Sequence, residues 1–303
     1  MKQEKRGIWK YTPLLPSVPL KFRLTLGEGS TRLVKKEGIF FKCEFDNPTG
    51  SVKDRGLCFQ VAKLKEFGHK KAVISSSGNA AISAAFYCSL HSITLKVFVS
   101  SKINPHKYKI ISHKAQIIKT NRPISQAYQF SVKEHTANLR ASIDPYGSAG
   151  YRTISFELLE SLPEVDSIFI PVSSGTILLG IYEGFLNSKR LPAIHAVQTS
   201  YLHPLTQNFD KNFNPETESL CDALVAKFLP LQDRLINCIK KTKGWGWTIE
   251  NKDIVKYRKK LLQFNLDASY EGAACLAAIV KARNNGYIYK NPICLLTGKY
   301  YQP

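Results

Sequence analysis

Strand-like and helix-like runs alternate along this chain, and this alternation limits the folds that it can adopt. Strands are predicted at residues 38–44, 72–74, 94–99, 167–172, 193–198 and 293–297. Helices are predicted at residues 57–67, 80–88 and 177–186, and after Pro105. Such alternation is typical of βα units, in which helices cover both faces of a mostly parallel sheet. We therefore predict an α/β fold.

The length of 303 residues is enough to bury the core of one large domain or of two lobes. No apolar run reaches about 18 residues, so no membrane-spanning segment is expected. The opening residues, MKQEKRGIWKYTPLLP, lack the apolar core and cleavage site of a signal peptide. We expect a cytoplasmic protein, with an exposed loop near residues 207–218.

The cysteines, the histidines and the net charge indicate no disulfide framework, no metal site and no nucleic-acid or membrane partner. The seven cysteines are scattered and form no CxxC pair, which favours buried reduced thiols over a disulfide framework or a zinc ribbon. The seven histidines show no ligand spacing with nearby acids, so no metal site is predicted. The net charge of +20 can attract polyanions. The lysines are spread along the chain without a nucleic-acid motif, so we predict neither a nucleic-acid nor a membrane partner.

Polar loops follow two of the predicted strands. Ser173, Ser174, Gly175 and Thr176 come between a strand and a helix, where backbone N–H groups and the helix dipole can hold a phosphate. A simple helix cap is the alternative. In the second loop, Ser76, Ser77 and Gly78 can hold a carboxylate, and Asn79 can bind an aromatic ring hydroxyl. Here too a cap and turn would explain the sequence.

Lys53 lies in the stretch NPTGSVKDRG, residues 47–56, at the expected start of a helix. The positive end of the helix dipole disfavours a charged lysine, which suits an amine that forms a Schiff base. The alternative is a solvated surface lysine. An amine, a phosphate cradle and a partner for a ring hydroxyl are the groups that pyridoxal 5'-phosphate (PLP) needs. Thr297, at the end of the last predicted strand, offers a hydroxyl for its pyridine nitrogen.

Several motifs in the same order resemble fold type II PLP enzymes, and within them the threonine synthase family. They are NPTGSVKDRG, SSGNAA, SSGT and LLTG, together with IWKYTPLLP, LGEGSTRL, GYRTISFELLESLP, IYEGF, AVQ and EGAACLAAIV. The resemblance implies a two-lobed α/β protein with PLP in the cleft. It implies a large cofactor-binding lobe of residues 1–50 plus 148–303 and a smaller, mobile lobe of residues 51–147. It also points towards a homodimer.

The resemblance further assigns roles to the residues singled out above. Lys53 would form the Schiff base and move the proton at Cα of the amino-acid substrate. Asn79 would bind the ring hydroxyl, and Thr297 would bind the ring nitrogen. The cofactor phosphate would be held by Ser173, Ser174, Gly175 and Thr176. The substrate carboxylate would be held by Ser76, Ser77 and Gly78. Glu271 approaches the ring or caps a helix start. The implied activity is a lyase of amino-acid biosynthesis that eliminates phosphate from an O-phosphohomoserine-type substrate and adds water.

The residues that would bind a substrate phosphate depart from the family pattern. The family segment Asn-Ser-x-Asn-Pro-x-Arg corresponds here to residues 141–147, in which Ser142 is retained while Ala141 and Gly147 replace the asparagine and the arginine. Arg152 or Arg32 would have to compensate. The open alternatives are a β-elimination or β-replacement enzyme (cysteine synthase, cysteate synthase or dehydratase-like) on another amino acid, and a catalytically idle binder of anions.

Overall fold

The computed structural model describes residues 7–186 and 188–301, which form two compact units. The first comprises the described parts of Met1–Ser30, Asn47–Thr153 and Tyr301–Pro303, and the second comprises Thr31–Asp46 and Ile154–Tyr300. The predicted lobes of residues 1–50 plus 148–303 and of residues 51–147 have other bounds than these units and stay a prediction. Residues 1–6, 187 and 302–303 of the predicted lobes lie outside the described residues.

Helices and strands alternate through most of the described chain. The strands are β1 Leu33–Lys36, β2 Ile39–Cys43, β3 Lys71–Ser75, β4 Thr94–Val99, β5 Gln116–Lys119, β6 Ala137–Asn138, β7 Ser167–Pro171, β8 Ala193–Thr199, β9 Gly246–Ile249 and β10 Pro292–Leu296. The α-helices are α1 Lys53–Glu66, α2 Asn79–Leu90, α3 Pro105–Ser112, α4 Pro123–Lys133, α5 Arg152–Ser161, α6 Thr176–Phe185, α7 Gln232–Lys241, α8 Asn251–Gln263 and α9 Tyr270–Asn284.

The first unit is built on a four-stranded sheet with the order β5-β4-β3-β6. All of its pairings are parallel. Helices α2 and α4 both pack against β3 and β4, and α1 packs against α2. Val73, Phe98 and Ala127 form a small apolar cluster between these elements. The loop that leaves β3 therefore starts from a buried, well-fixed strand.

The second unit is built on a six-stranded sheet with the order β1-β2-β10-β7-β8-β9. Only the pairing of β1 with β2 is antiparallel in this sheet of described strands. Strands β7, β8 and β10 are buried along their whole length, as expected for parallel strands covered on both faces. Helix α9 packs against β7, β8, β9 and β10.

The predicted α/β fold is confirmed, and each predicted strand lies within a residue or two of an observed one. The helix α1 begins at Lys53, as the polar stretch predicted, whereas the apolar spacing alone predicted it only from Leu57. Asp54 and Arg55 in this first turn are fully buried although they are charged. The spacing of apolar residues cannot predict a helical turn whose buried residues are charged. The short strands β1, β5, β6 and β9 were also absent from the prediction.

Two other expectations can be compared with the structure. All seven cysteines are buried and free, as predicted. Residues 207–218 are largely exposed, except for Asp210, whose carboxylate accepts the Thr248 N–H and pairs with Lys281. Among the described helices, none combines the length and the apolar character needed to cross a bilayer. Residues 7–186 and 188–301 contain no group of three or more potential metal ligands.

His195, in the middle of β8, is a fully buried histidine with both ring nitrogens bonded. Its Nδ1 accepts the Trp245 backbone N–H at 3.1 Å and the Trp247 Nε1–H at 3.0 Å. Nε2 must then hold the proton, which it donates to the Tyr289 hydroxyl at 2.8 Å. Its ring also stacks on Phe169 with centroids 4.2 Å apart. Burial lowers the pKa of His195 to about 3.

This neutral histidine should make the fold sensitive to acid. In the unfolded chain the ring binds a proton below about pH 6.5, whereas in the folded protein it stays neutral until about pH 3. The stabilisation is thus complete above pH 6.5 and is lost at about 1.4 kcal/mol per pH unit as the pH falls towards 3. Urea unfolding of the wild type and of His195→Gln at several pH values between 7 and 4 tests this. The stability advantage of the wild type should shrink with falling pH, and a constant difference would contradict the assignment.

Candidate active site

The polar stretch before α1 is fixed by the helix itself. The Gly50 N–H bonds the Asn47 carbonyl at 2.7 Å, and Gly50 has a φ of +85°, a backbone conformation that favours glycine. Asp54 reaches back from the first turn and accepts the Thr49 N–H at 2.6 Å and the Thr49 hydroxyl at 2.5 Å. Burial raises the pKa of Asp54 to about 6. The loop therefore presents Lys53 from a closed, hydrogen-bonded turn.

Lys53 is the first residue of α1 and has an unusual environment for a lysine. The residue as a whole is half-buried, while desolvation of its ammonium group lowers the pKa of Lys53 to about 8. Its Nζ lies 5.9 Å from the centroid of the Tyr151 ring. At pH 7–8 a far larger fraction of this amine is neutral than of an ordinary lysine, so it can act as a nucleophile. This environment supports the predicted chemical role over a solvated surface lysine.

The turn at 149–151 lies directly on the start of α1 because two glycines allow it. A Cβ at Gly150 would stand 1.9 Å from the Arg55 carbonyl oxygen, and one at Gly56 would stand 2.5 Å from the phenol end of Tyr151. The backbones can approach this closely only without side chains. Tyr151 is fully buried. Tyr151 is not among the predicted site residues, and its position between Gly150 and Arg152 was the available signal.

The loop after β3 has the form expected of a carboxylate-binding loop. The Ser76 hydroxyl accepts the Gly78 N–H at 3.2 Å, and the Ser77 hydroxyl accepts the Ser100 N–H at 3.1 Å. A Cβ built at Gly78 would meet no atom within 4 Å, so one side of the loop is open. Asn79 then begins α2, and its buried Oδ1 has no hydrogen-bond partner among residues 7–186 and 188–301. A buried amide of this kind calls for a ligand.

The first turns of α1 and α2 lie side by side. Ser83, one turn into α2, is close enough to Asp54 for its hydroxyl to lower the pKa of that carboxyl. The first unit thus places Lys53 and Asn79 at the starts of two packed helices. Ser142 and Arg152 belong to the same unit.

The second unit contains the predicted phosphate loop. Gly175, with a φ of +85°, precedes Thr176, the first residue of α6, and a Cβ at Gly175 would stand 2.2 Å from Leu235 of α7. The Ser174 and Thr176 hydroxyls lie 3.2 Å apart. Ser173 and Ser174 are half-buried. No side chain caps the start of α6, so the N–H groups of its first turn are available to an anion, as the prediction requires.

Thr297 follows β10 directly and is half-buried. Since β10 and β7 are parallel neighbours, Thr297 and the 173–176 loop leave the same edge of the sheet. Glu271, at the start of α9, is buried and accepts the Ala223 N–H at 3.1 Å, and burial raises the pKa of its carboxyl. This contact favours the reading of Glu271 as a helix-start carboxylate.

The segment 141–147 is closed on itself. A Cβ at Gly147 would stand 2.0 Å from the Ala141 carbonyl oxygen, and the Gly147 N–H bonds the Asp144 carbonyl at 3.0 Å. The Asp144 carboxylate also accepts the Gln60 amide at 2.6 Å. Ser142 Oγ is buried and has no partner within the part of the chain that the structure describes. In this conformation no side chain fits at position 147.

The two arginines expected to compensate are placed differently. In the second unit, Arg32 forms a two-fold hydrogen-bonded ion pair with Asp46, at 2.8 and 2.9 Å. Its guanidinium is therefore already neutralised by a carboxylate. In the first unit, Arg152 is half-buried at the start of α5. The pairing with Asp46 argues against the compensating role for Arg32. For Arg152 that role stays a prediction.

Residues 13–298 match the family described as pyridoxal-phosphate dependent enzyme. The chain belongs to this family. Family membership confirms the predicted cofactor, PLP, and the predicted resemblance. The match covers Lys53, the loop after β3, the 173–176 loop and Thr297.

Individual proteins of this family are similar to the chain over different shares of its length. Threonine synthase of Methanosarcina acetivorans is 26% identical over 98% of this chain and 80% of the relative. L-threonine ammonia-lyase of Geobacter sulfurreducens is 28% identical over 62% of this chain and 49% of the relative. The solved structure of maize serine racemase superposes with a TM-score of 0.76 at 22% identity, covering 99% of this chain and 92% of that one. The structural likeness shows the shared fold.

The described residues fit PLP. Lys53 offers an amine of lowered pKa, Asn79 a buried amide oxygen without a partner among the described residues, and the loop before α6 a set of hydroxyl and N–H donors. These are a nucleophile for an aldehyde, an acceptor for a ring hydroxyl and donors for a phosphate. The loop at 173–176 needs no cationic side chain, because the start of α6 supplies the positive potential.

The lowered pKa predicts that Lys53 reacts at lower pH than other lysines. In cofactor-free protein, brief acetylation followed by peptide mapping should give a half-maximal rate near pH 8 for Lys53, because only the neutral amine reacts. Lys252 is the control, since it is 69% exposed and its pKa is raised by the Glu250 carboxylate. Its rate should still be rising above pH 10. A shared midpoint for the two lysines would contradict the desolvation of Lys53.

The closed 141–147 segment predicts that a larger residue at position 147 destabilises the fold. Gly147→Ala should lower the free energy of unfolding by about 1–3 kcal/mol because its Cβ meets the Ala141 carbonyl. Gly147→Arg should do at least as much. Gly78→Ala, at an open position, is the matched control and should change it by less than about 1 kcal/mol. Urea unfolding measures all three, and a neutral Gly147→Ala would mean that the segment opens readily.

Proposed function

We propose that this protein is a PLP-dependent lyase of the threonine synthase type, which eliminates phosphate from an O-phosphohomoserine-type amino acid and adds water. The observation that carries the proposal is Lys53, an amine of lowered pKa at the start of α1 within NPTGSVKDRG. The similarity to the threonine synthase of M. acetivorans along nearly the whole chain supports it.

Lys53 has two tasks in this proposal. As a neutral amine it would hold the cofactor through its aldehyde, and once displaced by the substrate amine it would take and return the proton at Cα. A pKa near 8 suits both tasks at physiological pH. When bound, PLP supplies an electron sink for the negative charge that develops at Cα. The Tyr151 ring keeps water from one side of the amine.

The other predicted residues position the ligand. The Asn79 amide binds the ring hydroxyl, and its buried oxygen then gains the partner that the described residues do not provide. The Ser173–Thr176 loop binds the cofactor phosphate through hydroxyls and the N–H groups of α6. Thr297 binds the ring nitrogen with a neutral hydroxyl, and Ser76, Ser77 and Gly78 bind the substrate carboxylate. The neutral partner leaves the ring a weaker electron sink than a carboxylate would, which favours elimination and replacement chemistry.

A second candidate activity is β-elimination or β-replacement on an amino acid without a phosphate. Two observations favour it. Gly147 lies on the Ala141 carbonyl, so no arginine fits there, and Arg32 is already paired with Asp46. A desolvated arginine–phosphate contact is worth about 1.5–3 kcal/mol per bond, so its loss would weaken phosphate binding strongly. The similarity to the L-threonine ammonia-lyase of G. sulfurreducens fits this candidate.

Borohydride reduction tests the proposed role of Lys53. Protein incubated with PLP and then reduced should bear a phosphopyridoxyl group on Lys53, detected by mass-spectrometric mapping. Lys53→Ala should lose the label at this site and the visible absorbance band of the bound cofactor. The control, Lys71→Ala, changes an exposed lysine of the same unit and should keep both. Wild-type protein without a label on Lys53 would overturn the proposed function.

Titration with amino acids separates the two candidate activities. O-phospho-L-homoserine should change the visible spectrum of the PLP-loaded protein in a saturable way and release inorganic phosphate. If L-serine or L-threonine changes the spectrum instead and a 2-oxo acid is released, the second candidate replaces the first. Binding of O-phospho-L-homoserine that is unaffected by Arg152→Gln would exclude Arg152 as the compensating cation.

A further inference from the structure

Tyr151 is a buried tyrosine whose hydroxyl is left unbonded. The side chain has no exposed surface, and its phenolic oxygen has no hydrogen-bond partner among the described residues 7–186 and 188–301. Tyr87 in the same unit is equally buried but donates to the Glu28 carboxylate at 2.7 Å. Buried polar groups are nearly always bonded, so an unbonded phenol next to a reactive amine needs an explanation.

The phenol is held in place from two sides. Its end rests on Gly56, where a Cβ would stand 2.5 Å from both the ring carbon that bears the oxygen and the oxygen itself. The preceding residue, Gly150, lies against the Arg55 carbonyl. Both contacts are with the first turn of α1, the turn that begins at Lys53. Tyr151 is therefore fixed by packing, and its position does not depend on a hydrogen bond of its own.

The phenol can act only as a neutral hydrogen-bonding group. Burial raises its pKa, and the nearby Asp54 carboxylate raises it further. The hydroxyl thus keeps its proton and offers it to an acceptor. Such a donor suits an oxygen atom of a ligand.

We propose that Tyr151 is a specificity-determining residue, whose hydroxyl donates a hydrogen bond to the side-chain oxygen of the amino-acid substrate bound beside Lys53. This inference rests on the proposed function. The ring hydroxyl, ring nitrogen and phosphate of PLP, and the substrate carboxylate, already have predicted partners. The side-chain oxygen that leaves in an elimination is the remaining polar atom near Cα. The substrate class is accordingly an amino acid with an oxygen on Cβ or Cγ.

The test compares ligands that differ by one hydroxyl. L-threonine and L-homoserine each lose one oxygen to become L-2-aminobutyrate. Dissociation constants come from the saturable change in the visible spectrum of the PLP-loaded protein. Wild type should bind at least one hydroxylated amino acid about tenfold more tightly than L-2-aminobutyrate. In Tyr151→Phe that preference should disappear while the affinity for L-2-aminobutyrate is unchanged.

Stability of the cofactor-free protein separates this role from a structural one. Tyr151→Phe removes an unbonded hydroxyl and should leave the urea midpoint unchanged or raise it. Tyr87→Phe removes a bonded one and should lower it. A lowered midpoint for Tyr151→Phe would mean that the Tyr151 hydroxyl stabilises the folded protein, and it would overturn the inference. Loss of PLP affinity without a change in the ligand preference would make Tyr151 a cofactor contact and also overturn it.

Failure of the inference and failure of the proposed function give different results. If wild type retains the borohydride label on Lys53 and Tyr151→Phe keeps the preference for a hydroxylated amino acid, only the inference fails. If wild type shows no label on Lys53, the proposed function fails, and the inference that rests on it fails as well.

Discussion

The first unit depends on the contact between the backbones of Gly150 and Arg55. With no side chain at Gly150, the 149–151 turn lies against the first turn of α1, and Tyr151 fills the space over Gly56. Tyr151 also lies near the Lys53 amine, whose Nζ is 5.9 Å from the ring centroid, and desolvation lowers the pKa of Lys53 to about 8. A backbone contact between residues far apart in sequence thus places an aromatic ring beside a reactive side chain. Packing and chemistry cannot be separated in this unit.

The second unit follows a simpler rule. Parallel strands that are neighbours in a sheet end at the same edge, so β7 and β10 deliver the 173–176 loop and Thr297 to one place. The strands themselves are buried along their length and supply rigidity. The phosphate loop needs little from its side chains, since the start of α6 provides its potential. Sheet order accounts for most of the arrangement.

The sequence predicted what depends on local pattern and left out what depends on distant contacts. Apolar runs revealed the long strands, and the small polar residues after them revealed both loops of the candidate site. The apolar spacing left out the first turn of α1 because its charged residues are buried by contacts such as that of Arg55 with Thr153. Tyr151 and the closure of Gly147 on Ala141 escaped notice for the same reason. The pairing of Arg32 with Asp46 needs a fold before it can be seen.

The closed segment at 141–147 has a consequence for how this protein can diversify. Its glycine rests on its own main chain, so a single codon change cannot place a cation there without breaking the turn. A cation that recognises a negatively charged substrate would then have to reach it from outside this segment.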